Sequence, residues 1–159
     1  MESKVLNKAW KVILAASFAQ LVAAAQSTAE LSVEGAWVRA LPPTQSTTAA
    51  YLTLVNGGAQ SVEVASASAE IAGRVEFHTT REVDGYVRME QLPGLSVPAG
   101  QSLALAPGGA HLMLLELARM PAVGETVRLC LRTASDQEIC TDAEVRKSGP
   151  DHSSHQHHH

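Results

Sequence analysis

From Leu31 onward, apolar and polar residues alternate in short runs rich in Val, Leu and Thr. Gly, Pro and Asn break these runs roughly every 8 to 12 residues, the spacing of an all-β domain. The pattern predicts strands over Leu31 to Arg39, which carries Trp37, and over Thr48 to Val55, with Tyr51, Thr53 and Val55 on one face. Further strands are predicted over Ser61 to Ala67, Arg74 to Val83, Tyr86 to Leu92, His111 to Leu117, Thr126 to Thr133 and Glu138 to Val145, with short apolar pieces around Leu95 and at Leu103 and Leu105. Leu41-Pro42-Pro43-Thr44 reads as a loop, and Pro93-Gly94, Pro98-Ala99-Gly100 and Pro107-Gly108-Gly109 read as turns. Asn56-Gly57 and Asp84-Gly85 each carry the signal of a tight type I′ hairpin. No helical periodicity of ten residues follows the first 25. The expected architecture is a Greek-key β-sandwich of cupredoxin-like or immunoglobulin-like form. A length of 159 residues fits one such domain.

The first 25 residues have a different character. Lys4, Lys8 and Lys11 precede an apolar stretch from Val12 to Leu21, and Ala23-Ala24-Ala25 supplies small residues for a cleavage site. This is the pattern of a secretory signal peptide. It divides the chain into a signal peptide (1–25), a domain (26–147) and a terminal tail (148–159), and implies a periplasmic location. Cleavage would remove Lys4, Lys8, Lys11 and Glu2 and leave a net charge of about −6, against −4 for the whole chain. Neither value suits a nucleic-acid binder. No run of 18 apolar residues is present to span a membrane. With 45% hydrophobic but only 4% aromatic residues, Val, Leu and Ala must fill the core.

Chemistry concentrates in the domain's two histidines and two of its three methionines. If Asp84-Gly85 is the centre of a two-residue turn, Val83 faces Tyr86, Thr80 faces Met89 and His78 faces Gln91. His78 and Met89 are then diagonal neighbours on one face, about 7–8 Å apart at Cα. A slip of one residue would separate them. His111 and Met113 share a strand face by the same period of two. Two imidazoles and two thioethers, without carboxylate or thiolate, form a neutral, soft donor set. Thioethers bind Cu(I) well and zinc, calcium or magnesium poorly. They also form no disulfides in an oxidising compartment.

The spacing His78-x10-Met89-x21-His111-x-Met113 resembles the signature of the PCuAC family of periplasmic copper chaperones. Asp84-Gly85-Tyr86-Val87-Arg88-Met89 is similar to that family's strand leading to its methionine. Pro107-Gly108-Gly109-Ala110-His111-Leu112-Met113-Leu114 is similar to its "PGG-x-HLML" segment, and Ala49-Ala50-Tyr51-Leu52-Thr53-Leu54-Val55-Asn56 to its early strand. The likeness runs from about Leu31 to Val145. It implies a cupredoxin-like sandwich, Cu(I) held at an exposed site by His78, Met89, His111 and Met113, and delivery for cytochrome c oxidase assembly, chiefly to the binuclear copper centre. The partner implied is an oxidase subunit or its assembly factor. One departure stands out: many members carry Met two residues after the first His, where this chain has Thr80. Met120 is the remaining methionine, but Met120-Pro121 reads as a strand end.

Cys130 and Cys140 lie on the two arms of the last predicted hairpin, symmetric about position 135. A disulfide, two buried thiols and copper ligation all fit that placement. A blue-copper site would also want a domain histidine after these cysteines, and none follows. Five of the seven histidines lie in the last eight residues: His152, His155, His157, His158 and His159. Flexible imidazoles suit Cu(II), so the tail is expected to capture Cu(II) while the domain holds Cu(I). No nucleophile elbow, zincin helix or phosphate loop points to an enzyme. Copper storage or tolerance, and a metal-free secreted interaction module, are the alternative functions. Oligomeric state is not legible in the sequence.

Overall fold

The computed structural model describes residues 31–148. The proposed signal peptide and the His-rich tail lie outside the described residues. Ten strands follow one another: β1 (Leu31–Arg39), β2 (Thr48–Asn56), β3 (Val62–Ala69), β4 (Ala72–Val83), β5 (Tyr86–Leu92), β6 (Leu95–Val97), β7 (Ser102–Leu105), β8 (Ala110–Leu117), β9 (Thr126–Thr133) and β10 (Glu138–Arg146). The described residues contain no helix.

All ten strands belong to one hydrogen-bonded sheet in the order β5-β4-β8-β2-β1-β10-β9-β3-β6, with β7 also on β2. The sheet folds over a single core. Phe77, Leu52, Leu54, Leu112 and Leu114 come from one half; Val64, Leu129, Leu131, Ala143 and Val145 come from the other. β1 joins the halves. It pairs antiparallel with β2 from Leu31, and its last residues, Trp37 to Arg39, pair in parallel with β10. An offset between Glu34 and Trp37, where Gly35 has a φ of 61°, lets one strand serve both. The two layers expected of a sandwich are therefore continuous through β1.

The alternation read in the sequence maps onto this core. In β8, Leu112 and Leu114 are fully buried while His111 and Met113 take the opposite face. In β2, Ala50, Leu52 and Leu54 point inward and Tyr51 points out. Asp84 and Gly85, with φ of 55° and 79°, form the tight turn between β4 and β5, and Val83 faces Tyr86 across it.

The Asn56-Gly57 hairpin is not formed. β2 and β3 do not pair, and neither residue has a positive φ. The carboxamide of Asn56 is instead buried. Its Nδ2 donates to the carbonyls of Gln60 at 2.8 Å, Val97 at 2.9 Å and Pro98 at 3.2 Å, and its Oδ1 accepts the Gly58 N–H. The same short polar side chain that suits a type I′ turn here organises the crossing from one half of the sheet to the other.

Candidate metal centre

Sheet register assembles the site on the outer face of β5, β4, β8 and β2. His78 of β4 lies directly opposite His111 of β8, and their ring centroids are 6.0 Å apart. Met113 lies between Ala49 of β2 and Glu76 of β4. Met89 of β5 is opposite Thr80, and His78 is opposite Gln91, the register expected of the Asp84-Gly85 turn. Side chains two apart share a face, so His78, Met89, His111 and Met113 all project to one side. The sequence left open whether the two His/Met pairs meet; pairing of β4 with β8 brings them together.

The row through the histidines extends further. Trp37 faces Tyr51 with ring centroids 4.5 Å apart, and Tyr51 lies 6.3 Å from His111. Four rings from four adjacent strands thus stand side by side. Trp37, Tyr51 and His111 are each 4% exposed, whereas Met89 is 53% exposed. A cavity of about 240 Å³ opens beside them, lined by Arg39, Tyr51, Thr80, Met89, His111 and Met113 among others.

Each imidazole has one nitrogen engaged. His111 Nδ1 lies 3.0 Å from the Gly109 carbonyl. A carbonyl only accepts, so Nδ1 carries the proton and Nε2 keeps its lone pair for a ligand. His78 Nε2 lies 2.8 Å from Glu76 Oε2, and Glu76 in turn meets Arg74 Nε at 2.9 Å. His78 Nδ1 is buried without a hydrogen-bond partner. A protonated Nε2 donating to Glu76 leaves that Nδ1 as the lone-pair donor. Burial pushes the Tyr51 phenol above its ordinary pKa, partly offset by the charge of Arg39.

Glu76 is an addition to the sequence reading, which named no carboxylate partner for His78; it holds the ring from behind and leaves the four-residue donor set as it was. Its signal is Glu76-Phe77-His78, two residues apart and therefore on one strand face. Arg39, Tyr51 and Trp37 were also missed as site residues, because they come from strands distant in sequence. Met120 is buried in the hydrophobic core and lines a different cavity with Pro42 and Pro121, so it makes no auxiliary thioether. Thr80 does line the site.

Cys130 and Cys140 are register partners on β9 and β10, joined with Sγ–Sγ 2.03 Å and Cα–Cα 4.0 Å. Glu138 lies beside them. With both thiols in the bond, neither is free to ligate copper. The tail histidines are outside the described residues.

Fold and site together define an all-β domain with a His/Met-lined cavity on one sheet face. The chain belongs to the family described as "Putative lipoprotein LpqE-like", whose sequence model matches residues 31–145. A curated relative, "Putative lipoprotein Lxx21020" of Leifsonia xyli subsp. xyli, is 33% identical over 103 residues, 64% of this chain. The aligned part spans 61% of that relative's length. Among solved structures, the Cu(I) form of DR1885 from Deinococcus radiodurans is 35% identical with a TM-score of 0.62, covering 79% of this chain and 83% of its own. Apo-DR1885 is 31% identical with a TM-score of 0.59, covering 92% and 97%. The copper-bound PCuAC domain from PmoF2 shares the fold at 21% identity and a TM-score of 0.62, covering 76% of this chain and 94% of its own.

Proposed function

We propose that the protein is an exported copper chaperone of the PCuAC type, which holds Cu(I) through His78, Met89, His111 and Met113 and passes it to an acceptor. The observation that carries this reading is one sheet face that bears two imidazoles and two thioethers from three strands, with Met89, His111 and Met113 lining a partly open cavity and His78 directly opposite His111. Such donors are soft and uncharged, suited to Cu(I). Similarity to a Cu(I)-bound structure at 35% identity supports it. Buried His111 gives a fixed anchor, while exposed Met89 gives an incoming ligand a point of attack. Binding and release are the whole chemistry, with no substrate turned over.

On this reading residues 1–25 are a signal peptide and the site works in the periplasm, in keeping with a family described by its lipoproteins. The recipient is a cytochrome c oxidase subunit or assembly factor building the binuclear copper centre. The tail histidines, His152, His155, His157, His158 and His159, collect Cu(II). A competition titration of the full chain against a chromophoric Cu(I) chelator tests the site. One tightly held Cu(I), weakened at least tenfold in both His111→Ala and Met113→Leu, is the expected result. Unchanged affinity in both variants would mean that these side chains only pack. Removing residues 150–159 should abolish Cu(II) binding and spare Cu(I).

A further inference from the structure

The cavity that holds the soft donors also holds a cation. Arg39 ends β1 and lines the cavity together with Met89, His111 and Met113. Ala49, the register partner of Met113 on β8, lines the same cavity. The guanidinium carbon lies 5.3 Å from the centre of the Tyr51 ring, and that ring adjoins His111. Stacking fixes the guanidinium over the site.

Its charge has no partner among the described residues. Arg74, Arg81, Arg119, Arg128, Arg132 and Arg146 each meet a carboxylate within 4 Å. Arg88 and Arg39 meet none, but Arg88 is exposed to water whereas Arg39 is partly buried. Arg39 Nε is buried and lacks any acceptor. A buried orphan donor is costly and calls for an acceptor. The demand grows when the site is loaded: Cu(I) among neutral donors keeps its positive charge, and two like charges then share one cavity. An anion that both accepts from a guanidinium and ligates Cu(I) relieves both conditions.

We propose that Arg39 and the His/Met donors together bind copper with a small soft anion, a halide or thiolate that ligates Cu(I) while accepting hydrogen bonds from the guanidinium. This rests on the Cu(I) reading of the site. The anion contributes a lone pair to the metal and no electrons change hands. A bound thiolate would describe copper arriving or leaving as its complex with a small thiol.

Bromide is the probe, because it is soft and scatters X-rays strongly. Full-length protein is loaded anaerobically with slightly less than one equivalent of Cu(I), in sodium bromide or in sodium perchlorate at equal ionic strength. Copper-edge X-ray absorption should show a bromide neighbour in the wild type and none in Arg39→Gln. Chelator competition should show the wild-type advantage over Arg39→Gln growing roughly tenfold from perchlorate to bromide, the size of one charge-assisted hydrogen bond. Comparing the variants in each salt cancels bromide's own affinity for free Cu(I). Arg39→Lys, which keeps the charge, should retain part of the gain, and thermal unfolding of each variant separates this effect from loss of the fold. Failure of the wild type to bind Cu(I) in perchlorate overturns the copper reading itself. Cu(I) binding without a bromide neighbour, or a bromide neighbour that persists in Arg39→Gln, overturns the anion site alone. An Arg39-dependent gain with acetate but not bromide would give the guanidinium to a carboxylate and overturn the soft-anion assignment.

Discussion

His78 and His111 face each other across β4 and β8, yet they are held through opposite ring nitrogens: Nε2 of His78 by Glu76 and Nδ1 of His111 by the Gly109 carbonyl. The two lone pairs left for metal are therefore Nδ1 of His78 and Nε2 of His111. One anchor is backbone and survives any side-chain change. The other is a carboxylate and can be removed.

Glu76→Ala frees the His78 ring from its hydrogen-bond partner among the described residues. Supporting groups of this kind typically matter by 10- to 100-fold in metal affinity. The expected loss in Cu(I) affinity is about tenfold, read by chelator competition, with an unchanged far-ultraviolet circular dichroism spectrum. Glu76→Gln, whose amide oxygen still accepts from Nε2–H, should recover most of it. Equal affinity in wild type and Glu76→Ala would reduce Glu76 to a partner of Arg74.

The methionines separate packing from ligation. Met89→Leu changes an exposed side chain and should alter stability by no more than about 0.5 kcal/mol. Met120→Leu conserves volume in the core and should cost less than about 1.5 kcal/mol. Cu(I) affinity should fall in Met89→Leu and stay constant in Met120→Leu. The opposite ranking would move the thioether site away from β5.

The disulfide encloses a short loop, with a sequence separation of 10 between Cys130 and Cys140. Replacing both cysteines by Ala should cost about 2–3 kcal/mol on the chain-entropy account, measured by urea unfolding. Cu(I) stoichiometry should not change. A parallel loss of copper would show that β9 and β10 support the site.

Tyr51 ties stability to alkaline pH. Its folded-state pKa is raised above the ordinary value of 10.0, so its contribution is complete below about pH 10 and declines as the pH climbs past that value. Following ionisation by absorbance, one of the two tyrosines should titrate late, in step with loss of near-ultraviolet circular dichroism. Tyr51→Phe should remove the coupling.

Local signals were legible where local chemistry decides. Asp84-Gly85 set the turn, the turn set the register, and the register placed His78 and Met89 on one face. Symmetry about position 135 placed Cys130 and Cys140 opposite each other on the last hairpin, but left a disulfide, free thiols and copper ligation open; the structure joins them in a bond. What escaped was decided by distant pairing. Asn56-Gly57 has hairpin chemistry, but Asn56 finds carbonyls at Val97 and Pro98, some 40 residues on. Pairing of β4 with β8 joins His78 to His111 across three intervening strands, β5, β6 and β7, and nothing in the spacing dictates it. Arg39 and Tyr51 reach the site only because β1 and β2 lie next in the sheet.

Met89 sits on the outermost strand, which has β4 as its single neighbour, whereas His78, His111 and Met113 stand on strands flanked on both sides. Backbone bonds at such an edge open at a fraction of the free energy of global unfolding. On the proposed Cu(I) reading, copper would depart by momentary fraying of residues 86–92 while the core stays shut. Bound metal would in turn staple that strand down, so amide hydrogens along it should exchange rapidly in the empty protein and slowly in the loaded one. Cargo would then be sensed as stiffness along a single edge.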